Sequence, residues 1–167
     1  MTAQLKIVTE ADAEIVTELS RALFTETFSE RMARHYIETY LNKEYTIEVI
    51  REQILSPANV FVLALEQGKP IGYMKLIDKE SENTLEVDKL YLFKNFQGKG
   101  IGKQLMTFAE ENASQKSRTG ITLIVWEKNY SALDFYKYLG YTLQYKTEKD
   151  RGGETQIGLC LKKVVSG

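Results

Sequence analysis

The sequence predicts an α+β domain in which a mixed sheet carries helices on both faces. Three observations predict this fold class. Short apolar blocks typical of strands are mixed along the chain with longer segments whose apolar residues recur at helical spacing. The segments follow one another as a strand, helices, three strands, a helix, a strand, a helix and two strands. The two prolines, Pro57 and Pro70, fall at breaks between segments, so the elements are expected to pack as separate pieces around a core.

The first third of the chain predicts a strand followed by helices. Thr9 precedes the first helix and Asp12 stands three residues later, which is the spacing of a capping box. The predicted elements are a strand over 5–8, a helix that begins near Ala11 and buries Ile15, Val16, Leu19 and Leu23, and helices over 31–41 and 46–55, the last ended by Ser56-Pro57.

The remaining two thirds predict strands interrupted by two helices. A turn at 67–70 joins the first two of these strands, and a turn-rich stretch at 150–153 joins the last two. The predicted elements are strands over 60–65, 71–77 and 84–92, a helix over 98–113, a strand over 121–126, a helix over 131–139 closed by Gly140, and strands over 141–146 and 155–161.

Length and composition favour a single domain over residues 1–167. The chain has 167 residues, which is enough for one substantial core, and it shows no linker, repeat or low-complexity tract. Its 22 basic and 23 acidic side chains leave a net charge of -1. This balance argues against a nucleic-acid partner and against a polybasic membrane anchor.

Three further features limit the class of protein to which the chain can belong. No apolar stretch reaches the roughly 20 residues of a membrane helix, and the start of the chain is strand-like and charged. One cysteine, Cys160, and one histidine, His35, leave neither a disulfide nor a Cys/His zinc cluster. We therefore expect a cytoplasmic protein with no structural metal.

A glycine-rich loop is the most informative stretch. It leads from the apolar strand that ends at Leu92 into a helix, and it contains Gly98, Gly100 and Gly102. Glycine lets the backbone approach a ligand closely, and a helix N-terminus presents unpaired N–H groups that attract phosphate. Lys99 and Lys103 add cations. The stretch predicts a pyrophosphate site, although a flexible loop before a well-capped helix is the alternative. Its spacing matches neither a Walker A loop nor a dinucleotide fingerprint.

Two segments resemble the GCN5-related N-acetyltransferase (GNAT) superfamily. Residues 97–102 match its motif Q/R-x-x-G-x-G/A, and residues 90–92 resemble the preceding strand. Residues 125–141 resemble its second motif: a strand, an asparagine, a short helix with a tyrosine seven positions on, and Leu-Gly-Tyr. The resemblance implies a mostly antiparallel sheet of about seven strands and acetyl-CoA as cosubstrate. It places these residues around coenzyme A: Leu90, Tyr91, Leu92, Gln97, Gly98, Lys99, Gly100, Ile101, Gly102, Lys103, Asn129 and Tyr136.

The chemistry of acetyl transfer gives some of these residues roles. An alkylammonium acceptor, with a pKa near about 10.4, must lose a proton before its nitrogen can attack a thioester. The N–H of Leu92 is a candidate oxyanion donor, and Tyr136 is the family-matched proton donor to the departing thiolate. The alternative for Tyr136 is a core tyrosine on one helical face with Phe135 and Leu139. Asn129 has the alternative role of a helix cap.

The sequence specifies the general base and the acceptor amine less closely. Glu86 and Asp88, two apart on one strand, face the same side and are candidate bases acting through water, with plain solvated charges as the alternative. The chain is most similar to bacterial spermine/spermidine acetyltransferases, which implies a small-molecule polyamine and a carboxylate-lined groove. Candidate groove residues are Glu26, Glu30, Glu86 and Asp88, with Glu127 at the rim.

Three questions stay open at the level of sequence. The acceptor is alternatively a protein N-terminus or a lysine, and the protein is alternatively a non-catalytic acyl-CoA-sensing regulator on the same fold. Either a monomer or a homodimer is compatible with the apolar terminal strands.

Overall fold

A computed structural model describes residues 2–151 and 154–165 of the chain. It contains two compact units, each assembled from two stretches of sequence: Met1–Ile77 with Lys89–Phe108, and Asp78–Asp88 with Ala109–Gly167. We call them unit 1 and unit 2. One strand and one helix begin in one unit and continue in the other, so neither unit is a contiguous segment. A single domain over 1–167 stays a prediction.

The secondary structure is mixed, as the sequence predicts. The strands are β1 Gln4–Ile7, β2 Asn59–Glu66, β3 Lys69–Lys79, β4 Thr84–Leu92, β5 Gly120–Trp126, β6 Thr142–Arg151 and β7 Glu154–Val164. The α-helices are α1 Ala13–Phe28, α2 Arg34–Glu44, α3 Ile47–Leu55, α4 Ile101–Gln115 and α5 Tyr130–Tyr138. The strands form a seven-stranded sheet in the order β1-β2-β3-β4-β5-β7-β6. The predicted mixed, mostly antiparallel sheet is confirmed.

Unit 1 places α1, α2 and α3 with the antiparallel strands β1, β2 and β3. Apolar side chains of the helices, among them Val16, Leu23 and Phe24, join Phe61 of β2 and Tyr73 of β3 in a common core. Alternation along β2 and β3 turns every second residue toward this core, which is why a strand pattern and a helix pattern meet there.

The start of α1 follows the predicted capping box. Thr9 and Asp12 form that box, but a 3-10 turn over Glu10–Asp12 intervenes and the α-helix begins only at Ala13. The predicted inward position of Ile15 is wrong, because its side chain is 45% exposed, whereas Val16 is fully buried. Apolar periodicity finds the buried face of a helix but not its edges.

The β2–β3 hairpin is tighter than predicted. Only Gln67 and Gly68 form the turn, both with positive φ (49° and 78°). Two successive residues with positive φ match the right-handed twist of the flanking strands. Pro70 is inside β3 opposite Leu65, beside an irregularity in the register. Proline is tolerated there because a register shift relieves it of a ladder hydrogen bond.

Unit 2 contains β5, β6 and β7 with the first half of β4. Strand β4 pairs with β5 in parallel from Thr84 opposite Gly120 to Val87 opposite Leu123. Strand β7 is antiparallel to both β5 and β6. Cys160 on β7 is buried. Of the predicted turn at 150–153, residues 150 and 151 extend β6, and residues 152 and 153 lie outside the described residues.

Candidate active site

The glycine loop in unit 1 has two residues in the left-handed region of backbone conformation. The φ angle is positive at Gly98 (74°) and at Gly100 (86°). Glycine adopts such angles without strain, and its missing Cβ leaves the backbone of this exposed loop open to a ligand. The α-helix begins at Ile101, three residues later than predicted. Gly98 and Gly100 therefore precede α4, and Gly102 is its second residue. The first N–H groups of the helix have no partner within it.

The first turn of α4 is held firmly in unit 1. Ile101 and Leu105 are fully buried. The Gln104 side chain accepts a hydrogen bond from the N–H of Ala3 (3.0 Å) and donates one to its carbonyl (2.6 Å). A helix start fixed at these points presents its N–H groups in a constant direction, as a phosphate site requires.

Two hydrogen bonds tie the loop to the end of β4. Gln97 Nε2 donates to the carbonyl of Leu92 (3.0 Å), and the N–H of Phe96 donates to Phe93 (2.9 Å). Gln97 thus shapes the loop through its side chain, whereas Gly98, Lys99 and Gly100 are exposed. Lys99 Nζ lies 5.6 Å from the centre of the Phe96 ring.

The end of β4 is half-buried over four consecutive apolar residues, 90–93. Strand β3 supports it closely, because the N–H of Phe93 donates to Ile71 (3.1 Å). A Cβ added to Gly72 would overlap the carbonyl of Tyr91 and a methyl group of Leu92. Gly72 is not among the site residues that the sequence predicts. A glycine inside an apolar strand is the signal that points to such a close backbone approach.

The candidate acceptor carboxylates in unit 1 differ in their surroundings. Glu26 Oε1 on α1 accepts a hydrogen bond from the N–H of Lys94 (3.3 Å), two residues beyond β4. Glu30 is exposed beyond the end of α1. The structure therefore brings Glu26 to the residues that follow β4.

Tyr136 in unit 2 lies on α5 and is 7% exposed. Its ring contacts Phe135 and Tyr141 edge-on, with centroids 5.0 and 5.6 Å away. Asn129 caps the helix, because its Oδ1 accepts from the N–H of Ala132 at 3.3 Å. The predicted core position of Tyr136 and the predicted cap are thus both confirmed. A catalytic role for Tyr136 and a cofactor contact for Asn129 stay predictions.

The Tyr141 hydroxyl, which follows α5 in sequence, is buried with no hydrogen-bond partner. Burial, the nearby Glu110 carboxylate and Tyr136 together raise the pKa of Tyr141 above its usual range. Tyr141 is therefore a neutral phenol over the whole physiological range of pH.

The candidate bases in unit 2 lie on one side of β4. Glu86 is half-buried and its carboxylate lies 3.6 Å from Lys79 Nζ. Asp88 is exposed. Glu127 follows β5, is half-buried, and donates its backbone N–H to Ile157 (2.9 Å). The ion pair with Lys79 is a feature that strand periodicity could not reveal, since it depends on the turn between β3 and β4.

Comparisons with known proteins show which family the chain belongs to. A family profile described as the Acetyltransferase (GNAT) family matches residues 16–141, well over half of the sequence. The chain belongs to the GNAT acetyltransferase family. This acetyltransferase is thus an acetyl-CoA-dependent N-acetyltransferase, as the two sequence motifs imply.

Individual relatives agree with the family. An uncharacterised N-acetyltransferase encoded in the pepI 3′ region of Lactobacillus delbrueckii subsp. lactis is 31% identical over 95% of both chains. The acetyltransferase is 26% identical to a spermidine N(1)-acetyltransferase of Thermoplasma acidophilum, over 86% of this chain and 91% of that one. It is 29% identical to the peptidyl-lysine N-acetyltransferase YjaB of Salmonella typhimurium, over 69% and 73%.

A solved structure agrees with the fold. The crystal structure of the PaiA N-acetyltransferase of Thermoplasma acidophilum in complex with coenzyme A superposes with a TM-score of 0.83. The superposition covers 98% of this chain and 99% of that one at 23% identity, so the likeness concerns the fold. No helix within residues 2–151 or 154–165 is long and apolar enough to cross a membrane.

Proposed function

We propose that this acetyltransferase transfers the acetyl group of acetyl-CoA directly to a primary amine, and that the acceptor is a polyamine such as spermidine or spermine. The left-handed glycines Gly98 and Gly100 ahead of α4 carry the cosubstrate half of the proposal, because they leave the backbone open beside the unpaired N–H groups of a helix start, which attract a diphosphate. The relationship to a spermidine N(1)-acetyltransferase supports the acceptor half. A cytoplasmic monomer or homodimer completes the proposal.

The loop and the end of β4 hold the cosubstrate in this proposal. N–H groups from residues 98–103 bind the diphosphate, and Lys99 and Lys103 neutralise its charge. The half-buried apolar residues 90–92 line the pantetheine arm. Bound acetyl-CoA supplies a thioester whose carbonyl carbon accepts the amine nitrogen. The N–H of Leu92 stabilises the oxyanion that this attack creates.

The proton balance of the reaction assigns two further roles. The acceptor ammonium loses a proton through water to Glu86 or Asp88, and its nitrogen then bonds to the acetyl carbon. The carbon–sulfur bond breaks, and the thiolate takes the phenolic proton of Tyr136. The nitrogen that now carries the acetyl group still bears one extra proton, and loss of that proton through water restores the phenol. The alternation of β4 turns Glu86 and Asp88 toward one side. The Glu86 carboxylate lies 3.6 Å from Lys79 Nζ.

The role of Tyr136 is tested by Tyr136→Phe. Removal of the phenol should lower kcat by about 10²-fold or more and leave the Kd of coenzyme A unchanged, because general acid catalysis contributes about 10²–10⁴-fold. Release of free thiol and calorimetry measure the two quantities. Tyr138→Phe on the same helix is the matched control, since Tyr138 is 78% exposed. Equal kcat values for Tyr136→Phe and wild type would remove Tyr136 from the mechanism.

The acceptor proposal is tested by the double variant Glu86→Gln, Asp88→Asn. A polycation is attracted by carboxylates, whereas acetyl-CoA is an anion, so the KM for spermidine should rise far more than the KM for acetyl-CoA. Thiol release with each substrate varied in turn measures both constants. A proportional rise in both constants contradicts a carboxylate groove.

Lysine acetylation is the second candidate, favoured by the relationship to peptidyl-lysine N-acetyltransferase YjaB. It differs from the first in the acceptor, because a peptide presents a single ammonium beside backbone amides. A panel of spermidine, spermine and lysine-containing peptides, scored by kcat/KM for thiol release, separates the two. A peptide preferred tenfold over spermidine would replace the polyamine proposal.

A further inference from the structure

Helix α5 in unit 2 ends in a Schellman motif, a turn that closes the last carbonyl groups of a helix. Gly140 has a φ of 95°, in the left-handed region. Its N–H donates to the carbonyl of Lys137 (3.0 Å), and the N–H of Tyr141 donates to the carbonyl of Tyr136 (2.9 Å). These two hydrogen bonds define the motif. The proposed proton donor, Tyr136, is therefore bonded through its main chain to the residue that follows the glycine.

The side chain of Tyr141 contacts the same residue that its N–H contacts. The rings of Tyr141 and Tyr136 pack edge to face, with centroids 5.6 Å apart and planes inclined by 70°. Tyr141 is only 4% exposed, so its ring is held on the other sides by the protein interior. Edge-to-face packing sets both the distance and the tilt of the partner ring. Tyr141 thus limits the orientations that the Tyr136 ring can take.

Elements outside the motif hold the turn in place. A Cβ added to Gly140 would lie 3.6 Å from Lys163 Cε, so the stem of that side chain on β7 packs along the turn. The Lys163 ammonium forms an ion pair with Glu110 on α4, with 2.6 Å between Nζ and Oε1. The end of α5 therefore lies against a strand that is itself tied to a second helix of unit 2.

The orientation of the Tyr136 ring matters because the reacting atom is at its far end. The phenolic oxygen moves more than any other atom of the side chain when the ring tilts. Proton transfer requires donor and acceptor within hydrogen-bond reach, and a misplacement of about 1 Å can cost about 10²-fold in rate. Tyr136 also lies in the last turn of a helix of 9 residues, and helix ends fray. A contact that fixes this turn should therefore change the rate of proton donation.

The ring of Tyr141, and not its hydroxyl, makes the contact. The hydroxyl is buried with no hydrogen-bond partner, so it binds no group of Tyr136. Phenylalanine at this position keeps the edge-to-face contact, whereas leucine fills part of the volume without a ring. The two substitutions therefore separate the effect of the ring from the effect of the polar group.

We propose that Tyr141 is a positioning residue for acetyl transfer: its ring and its N–H fix the last turn of α5 and hold the phenol of Tyr136 in the orientation that protonates the departing thiolate. This inference rests on the proposed function, in which Tyr136 is the proton donor. Tyr141 acts through Tyr136 and exchanges no proton itself. Gly140 takes part because its left-handed conformation brings Tyr141 back onto the helix.

The test is a double-mutant cycle of Tyr136→Phe and Tyr141→Leu, with kcat measured by thiol release. In the wild-type background Tyr141→Leu should lower kcat about tenfold and leave the KM for acetyl-CoA within twofold. In the Tyr136→Phe background the same substitution should change kcat less than twofold, because no phenol is left to orient. Residues that act through one another give such non-additive effects. An equal loss of kcat in both backgrounds overturns the inference.

Two further variants separate orientation from packing. Tyr141→Phe restores the ring and should recover at least half of the wild-type kcat. Tyr138→Leu makes the same change as Tyr141→Leu on a side chain of α5 that is 78% exposed, and it should behave as wild type. A Tyr141→Phe variant as slow as Tyr141→Leu also overturns the inference, because the ring would then not be what acts.

A backbone probe replaces Tyr141→Leu if thermal unfolding shows that this variant does not fold. Gly140→Ala strains the left-handed turn without a clash, since the added Cβ makes only an ordinary contact with Lys163. It should lower kcat severalfold in the wild-type background and less than twofold in the Tyr136→Phe background. Gly68→Ala, at a φ of 78° in the β2–β3 turn, is the control and should keep the wild-type kcat. Equal losses of kcat from Gly140→Ala in both backgrounds overturn the inference.

Failure of the inference is distinguishable from failure of the proposed function. A Tyr136→Phe variant with the wild-type kcat refutes the proposed proton donor, and the positioning role is refuted with it. A Tyr136→Phe variant that loses about 10²-fold, beside a folded Tyr141→Leu variant with the wild-type kcat, refutes only the positioning role and leaves Tyr136 as the proton donor.

Discussion

Substitutions in the glycine loop are expected to act through backbone conformation rather than through steric overlap. A Cβ at Gly100 would meet no atom within 4 Å, yet its φ of 86° lies in the region that other residues avoid. Gly100→Ala should therefore lower the free energy of unfolding by about 1–2 kcal/mol. It should also weaken acetyl-CoA binding severalfold, because relaxation of φ redirects the N–H groups of the loop. Denaturant titration and calorimetry measure the two effects.

Gly68 is a matched control for that experiment. It lies in the β2–β3 turn with a similar φ of 78° and equally open surroundings. Gly68→Ala should cost a similar free energy of unfolding and leave the affinity for acetyl-CoA unchanged. Wild-type affinity in Gly100→Ala, or equal losses of affinity in both variants, would show that the conformation of the loop does not form the anion site.

The hydroxyl of Tyr141 is buried with no hydrogen-bond partner, so its removal should change the free energy of unfolding in a predictable direction. Its OH is buried, whereas its ring packs edge-on against Tyr136 at 5.6 Å. Tyr141→Phe keeps that packing and removes a desolvated polar group. It should raise the free energy of unfolding by up to about 1 kcal/mol, seen as a higher Tm. A lower Tm would mean instead that the hydroxyl binds an internal water.

At the scale of elements, β3 packs closely against the end of β4, the strand that we propose holds the cosubstrate. Gly72→Ala places a methyl group against the backbone of Tyr91 and the side chain of Leu92. Overpacking of this kind costs about 1–3 kcal/mol, and the strand end must shift. We expect a lower Tm together with a severalfold higher KM for acetyl-CoA, measured by thermal unfolding and thiol release.

Gly120→Ala provides the comparison on another strand. A Cβ there would meet Lys162 Cε at 2.6 Å, which is the far end of a flexible side chain that can move away. This variant should keep the wild-type KM for acetyl-CoA and lose little stability. If Gly72→Ala also keeps the wild-type KM, the position of the strand end is not set by β3.

At the scale of the whole molecule, each unit contains an ionised carboxylate whose contacts stabilise the fold at neutral pH. In unit 1, hydrogen bonds from Lys6 (2.8 Å) and the N–H of Thr9 (2.9 Å) lower the pKa of Asp12. In unit 2, the Arg118 guanidinium, with two contacts of 2.6 and 2.9 Å, lowers the pKa of Asp78. Both contacts are lost when the carboxylates are protonated.

The sign of the pH dependence follows from these lowered values. A carboxyl group whose folded-state pKa is depressed stabilises the fold above its unfolded pKa, about 3.9, and the stabilisation disappears as pH falls through the folded value. The free energy of unfolding should therefore fall steadily below about pH 5. Asp78→Asn should flatten that slope and cost about 1–3 kcal/mol at pH 7, because Arg118 loses a charged partner. Urea unfolding at several pH values measures both.

Asp134→Asn is the control for the acid dependence, since Asp134 is exposed on α5. It should leave the slope and the stability at pH 7 unchanged. An Asp78→Asn variant with the acid sensitivity of wild type would contradict the assignment of that slope to the Asp78–Arg118 pair.

The sequence by itself determined the order and type of the elements and located the glycine-rich loop, for which it predicts a pyrophosphate ligand. Periodicity and turn residues suffice for this because they act locally: Gly98 and Gly100 must precede a helix, and the strand over 84–92 is bounded by polar turns. The GNAT motifs then added the family and its cosubstrate, which family comparison confirms.

Tertiary structure alone decided which side chains meet. No spacing in the sequence joins Glu26 to Lys94, Gln104 to Ala3, or Arg118 to Asp78, because these partners are 68, 101 and 40 residues apart. The exposed Ile15 and the close contact at Gly72 likewise depend on which surfaces pack together. Local pattern fixes which face of an element is apolar, but only the folding of distant segments onto one another fixes its neighbours, and recognition of the acceptor depends on those neighbours.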